Sequence, residues 1–149
     1  MATTQLPHDF KEFLKLLNTH EVRYLLVGGH AVSYYGYPRP TGDIDLWVPI
    51  DAENAERLVA AMKSFGFDAA SLSVGLFLQP DQVVRMGRPP MRIDVLTSIA
   101  GVDFESCYSR RVFDKIDGVD VDVISLDDLK TNKRTAGRHR DLNDLENLP

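Results

Sequence analysis

The 149-residue chain is 44% apolar and 26% charged, ordinary proportions for a folded globular protein, and its length suits one domain over residues 1–149. A net charge of −5 and a pI near 5.3 argue against a protein that coats nucleic acid nonspecifically, since that binding runs on phosphate neutralisation, although a local basic patch remains open. No apolar run spans a bilayer, residues 1–9 lack a secretory signal's basic start and apolar core, and the single Cys107 permits neither a disulfide nor a cysteine metal cluster; the expected setting is cytoplasmic, with no membrane partner.

In chain order, Phe10, Phe13, Leu14 and Leu17 recur at helical spacing and predict an amphipathic helix over 9–20 with Asp9 as its N-cap. Val22–Val27 reads as a strand ending at Gly28-Gly29, followed by a short helix over His30–Tyr35. Tyr37–Gly42, with two prolines, is a loop leading into the strand Asp43–Val48. A helix runs from Asp51 or Ala52 to Phe65, buries Ala55, Leu58, Val59 and Met62, and stops at Gly66. Leu72–Leu78 and Gln82–Met86 read as short strands, 87–90 as a loop, and Met91–Thr97 as a clear strand. Val102–Tyr108 suits a short helix or loop. Arg111–Ile116 and Val119–Ile124 form a hairpin about Asp117-Gly118. Ser125 with Asp128 has the form of a capping box, opening a helix to about Gly137. The last helix, Asp141–Leu148, places Leu142, Leu145 and Leu148 at helical spacing. This order predicts a mixed α+β protein, a mixed sheet with helices packed on it, and a helical tail over about 125–149.

The chemistry gathers around Gly28–Leu46. Residues two apart on a strand face the same side, so Asp43 and Asp45 project together while Ile44 enters the core. Paired carboxylates repel unless a positive charge lies between them, and a divalent cation with its preference for oxygen ligands fits best. Asp94, inside the strand 91–97, becomes a third candidate if the two strands are neighbours. The Gly28-Gly29 pair permits a tight turn and close approach of a ligand, for which the following helix offers free N–H groups. His30 and His139 read as helix-surface residues, and Cys107 as a small apolar filler. Arg85, Arg88 and Arg92, and then Lys130, Lys133, Arg134, Arg138 and Arg140, form two basic groups suited to a triphosphate or to nucleic acid.

Gly28-Gly29-x-Ala31, then Gly36, then Arg39-x-Thr41-x-Asp43-Ile44-Asp45-Leu46 resembles the signature of the nucleotidyltransferase fold superfamily, and most of all the small bacterial AbiEii/MenT-like branch. The ending is similar too, with Lys133, Ala136-Gly137-Arg138, Asp141-Leu142 and Asp144-Leu145. The resemblance implies a nucleotidyltransferase-like mixed sheet and transfer of a nucleoside monophosphate from an NTP to a hydroxyl acceptor: tRNA, protein or a small molecule. It implies Mg²⁺ or Mn²⁺ held by Asp43, Asp45 and Asp94, these three being the catalytic residues, with Asp94 as third ligand or general base. It implies nucleotide contacts from Gly28, Gly29, Arg39 and Thr41, with Lys133 and Arg138 neutralising phosphate. It also implies toxin–antitoxin biology, hence a cognate antitoxin as partner or a homodimer that supplies the missing wall of the acceptor site. The competing expectation is a non-catalytic nucleotide-binding or regulatory protein that retains the fold.

Overall fold

The computed structural model describes residues 6–38, 42–88 and 91–149. A six-stranded mixed sheet runs β3-β4-β2-β1-β6-β5, from β1 (Leu25–Val27), β2 (Asp43–Trp47), β3 (Val83–Arg88), β4 (Met91–Leu96), β5 (Val112–Ile116) and β6 (Val119–Val123). β1 is antiparallel to β2 and parallel to β6, β2 is parallel to β4, and β3 and β5 are antiparallel edge strands. Helices α1 (His8–Thr19), α2 (Gly28–Tyr34), α3 (Ala52–Phe65), α4 (Phe104–Ser109), α5 (Leu126–Ala136) and α6 (His139–Asn147) complete the architecture. The core is one continuous apolar cluster built on Phe10, Phe13, Leu25, Leu26, Ile44, Leu46, Leu58, Met62 and Val95. Among the described residues no helix is long and apolar enough to cross a membrane.

Local chemistry explains most element ends. Asp51 caps α3 by accepting from the Asn54 N–H at 2.9 Å, and Gly66 ends it with φ 101°. The turn Asp117-Gly118 has φ of 51° and 81°, the left-handed pair that a two-residue hairpin requires. Ser125 caps α5 by accepting from the Asp128 N–H at 3.1 Å. The Asp128 carboxylate, however, takes a bidentate pair from Arg110 (3.0 and 2.9 Å) rather than closing the box.

Several expectations are corrected. Asp9 is not the N-cap of α1: Pro7 stands there, its φ of −53° already suited to a helix start, and Asp9 lies in the first turn, where its charge meets the positive helix end. β1 begins at Leu25 rather than Val22, because the Arg23 backbone is held by the Asn54 side chain of α3, which accepts from its N–H (2.7 Å) and donates to its carbonyl (3.1 Å). α2 starts at Gly28, not His30. Val74–Leu78 is a 3-10 helix against α3 instead of a strand: its buried residue Phe77 follows Val74 by three, not two. β3 extends through Gly87 and Arg88, which the sequence assigns to a loop. His30 is half-buried, edge-on to Phe10 at 5.6 Å, rather than on the surface. α6 buries Asp141 and Asp144 and leaves Leu142 47% exposed, so that of the leucine stripe expected only Leu148 is buried and Leu145 half-buried.

Candidate active site

β2 enters the centre of the sheet with Ile44 buried and Asp43 and Asp45 half-exposed on the opposite face. The parallel register with β4 sets Asp45 beside Asp94 and Asp43 beside Arg92. Neighbouring strands lie about 4.8 Å apart, so the carboxylates of Asp45 and Asp94 share one space. Asp94 is only 5% exposed. On the far side of β4, Arg85 of β3 pairs in register with Asp94, its Nε 3.3 Å from Asp94 Oδ1. Arg92 forks onto Asp43, with Nε 3.2 Å and Nη2 3.1 Å from the two carboxylate oxygens. Asp94 Oδ1 is buried and accepts no hydrogen bond, so its contact with Arg85 is one of charge alone.

The floor is the turn at the end of β1. Gly28 has φ 69°, and a β-carbon there would collide with Asp45 Oδ2 and stand 3.0 Å from Asp45 Cγ. Glycine is needed twice over: for the left-handed backbone and for the room that Asp45 occupies. Burial, then the charges of Asp94 and Asp43, push the Asp45 carboxyl up to about 6, against the opposing pull of Lys133 and Arg140. Burial also raises Asp94, with Arg85 opposing.

The facing wall comes from α5 and α6. Lys133 is buried and reaches two buried carboxylates, Asp141 at 3.3 Å and Asp144 at 3.0 Å. Arg138 caps the start of α6, donating from its backbone and Nε to Asp141 Oδ2 at 3.1 and 2.8 Å. Burial works against an ionised Asp141, but the bonds from Arg138 and the charge of Lys133 hold it below the ordinary carboxylate range. Asn132 donates to the Ala100 carbonyl at 3.0 Å and ties α5 to the segment after β4. These elements enclose a cleft of ≈ 490 Å³ lined by Gly28, Gly29, Asp43, Asp45, Asp94 and Lys133 among others.

Seven of the nine site residues expected from sequence therefore stand on one cleft: Gly28, Gly29, Asp43, Asp45, Asp94, Lys133 and Arg138. Arg39 and Thr41 lie outside the described residues. Lys133 lines the cleft, but its charge is already shared by two carboxylates. Arg85 and Arg140, which the sequence places only in basic groups, also line the cleft. Arg85 was legible only as part of a basic group, because nothing in sequence says which acid a β3 arginine will face.

The donor set fits a hard divalent cation, with three aligned carboxylates and a buried Asp94 oxygen that lacks a hydrogen-bond donor. Among the described residues no three acidic, imidazole or thiol side chains stand, as they lie, close enough together to hold a metal ion. Two of the acids are instead drawn sideways by Arg92 and Arg85.

No protein-family model matches the chain, and no curated protein matches its sequence. Among solved structures it is similar to a candidate nucleotidyltransferase of Thermotoga maritima, with a TM-score of 0.61 and 14% identity over 93% of this chain and 88% of that one. The mixed sheet and its flanking helices are a nucleotidyltransferase-like fold.

Proposed function

We propose that the chain is a metal-dependent nucleotidyltransferase that moves a nucleoside monophosphate from an NTP to a hydroxyl acceptor. The observation that carries this reading is the register of β2 and β4, which stands Asp45 beside Asp94 above the Gly28-Gly29 turn. Asp43 and Asp45 would hold Mg²⁺ or Mn²⁺, with Asp94 as third ligand or as base toward the acceptor hydroxyl. When bound, the cation supplies charge neutralisation and orientation for the phosphoryl group. The protein supplies the rest. Gly28 and Gly29 let the backbone of the turn approach the phosphates, Arg138 offers cationic charge at the rim, and Lys133, held by Asp141 and Asp144, fixes α6 against α5 beside the phosphate site. Arg39 and Thr41 are assigned to the nucleotide on the sequence signature alone.

Within this reading the chain belongs with the AbiEii/MenT-like branch and acts as the toxin of a toxin–antitoxin pair on tRNA, protein or a small molecule. The C-terminal pattern from Lys133 to Leu145 supports that placement. The test is incubation with each labelled NTP, Mg²⁺ and a tRNA pool or hydroxyl compounds. Transfer by wild type, abolished in a folded Asp45→Asn variant, is the expected result. No transfer together with no NTP or metal binding would overturn it. ATP binding without turnover, unchanged by Asp43→Asn, would instead establish a non-catalytic nucleotide-binding protein.

A further inference from the structure

The geometry points to Arg85 and Arg92 as built-in stand-ins for the cation: positioning residues that hold the acidic cluster together without metal, and that must release Asp94 and Asp43 when metal arrives. This inference rests on the nucleotidyltransferase reading and adds to it the residues that set the site's cation threshold. Three carboxylates on one sheet face cannot stand together without positive charge. The sheet places a guanidinium laterally beside two of them: Arg92 is the register partner of Asp43, and Arg85 that of Asp94.

The two clasps differ. Arg92 makes two hydrogen bonds to Asp43, a bidentate pair with a defined plane. Arg85 approaches Asp94 Oδ1 at 3.3 Å without a hydrogen bond, and its side chain is 60% exposed. Arg85 is therefore the looser of the two and yields first, so that Asp94 is the first of the two clasped carboxylates to open to a cation. Arg92 yields second and keeps Asp43 aimed along the strand until then. Among the described residues Asp45 has no arginine as a register partner. Its neighbours in register are Val27 and Asp94, and the charges of Lys133 and Arg140 favour its ionised form against burial and the charges of Asp94 and Asp43. The cation then completes a neutralisation that the arginines accomplish in part.

A direct consequence is competition. Removing either guanidinium relieves an ion pair that the metal must break and a positive charge that repels it, so Mn²⁺ should bind more tightly. The experiment is a titration of the full-length protein with Mn²⁺ alone, free ion followed by electron paramagnetic resonance, on wild type, Arg85→Gln, Arg92→Gln and Arg88→Gln. Arg88 is exposed, lies on the same strand and is the register partner of Met91, so it controls for a general loss of positive charge. Arg85→Gln and Arg92→Gln should each lower Kd about two- to fivefold, with Arg88→Gln unchanged. Equal or weaker Mn²⁺ binding by Arg85→Gln would overturn the inference, and so would an equal gain in Arg88→Gln. Arg85 is exposed enough that its replacement leaves the fold intact, so it decides the matter even if Arg92→Gln fails to fold. Wild type that binds no Mn²⁺ overturns the nucleotidyltransferase reading itself, whereas binding that Arg85→Gln leaves untouched overturns this inference alone.

Discussion

The most consequential single residue outside the acidic cluster is Lys133. Its side chain is 5% exposed and its two partners, Asp141 and Asp144, are 1% and 0% exposed. Removing one member of a buried ion group leaves the others charged in a poor solvent, which costs about 3–5 kcal/mol. Lys133→Met should lower unfolding stability by that amount, read by urea denaturation, with Arg138 compensating Asp141 in part. Asp45 gives the opposite sign. Its carboxyl lies near 6 in the folded chain, above the ordinary 3.8. The protonated form is thus favoured by folding, and this contribution is full below about 3.8 and lost as pH rises through about 6. Metal-free protein should be less stable at pH 7.5 than at pH 4.5 on this group's account, by on the order of 2 kcal/mol after allowance for solvent screening. Asp45→Asn should flatten that part of the profile and raise Tm at neutral pH, measured by differential scanning calorimetry.

Elements were legible where their signals were local. The cap and stop of α3 needed only Asp51 and Gly66, and the hairpin needed only Asp117-Gly118. Asp51→Ala should cost about 1 kcal/mol through the lost Asn54 N–H bond, as measured by thermal unfolding. Where a tertiary partner decides, sequence reading fails in a definable way. Leu142, Leu145 and Leu148 suggest an apolar stripe, yet α6 turns Asp141 and Asp144 inward because the Lys133 ammonium waits there from α5. β1 is short for the same kind of reason: the Asn54 amide, 31 residues away in sequence, takes over the Arg23 backbone. The 3-10 turn at Val74–Leu78 reads as a strand in sequence because a short apolar run does not distinguish a strand from a tight helix.

At the scale of the whole molecule, the sheet order does the work that no local pattern contains. Asp43 and Asp45 declare themselves by spacing, but that Asp94 stands beside Asp45 follows only from the parallel pairing of β2 and β4, whose register partners are 49 residues apart in sequence. The glycine turn, the acid pair and the late acidic strand were readable separately, and folding supplied their convergence and the arginines beside them. The same order predicts a gradient of stability. β1, β2, β4 and β6 are flanked on both sides, while β3 and β5 each have one neighbour. Native-state hydrogen exchange should show β3 and β5 amides exchanging first and Leu46, Val95 and Val123 among the last.

The crowding of Gly28 against Asp45 has a consequence for how this chain tolerates change. Two positions that share one volume cannot vary independently. Gly28→Ala alone should lose on the order of 1–3 kcal/mol, from its left-handed backbone and the collision with the Asp45 carboxylate. Adding Asp45→Gly should return the steric part and leave the backbone part. The pair would then show positive epistasis in a stability screen and, under the proposed nucleotidyltransferase function, none in a transfer assay, because the volume freed is the carboxylate assigned to the cation.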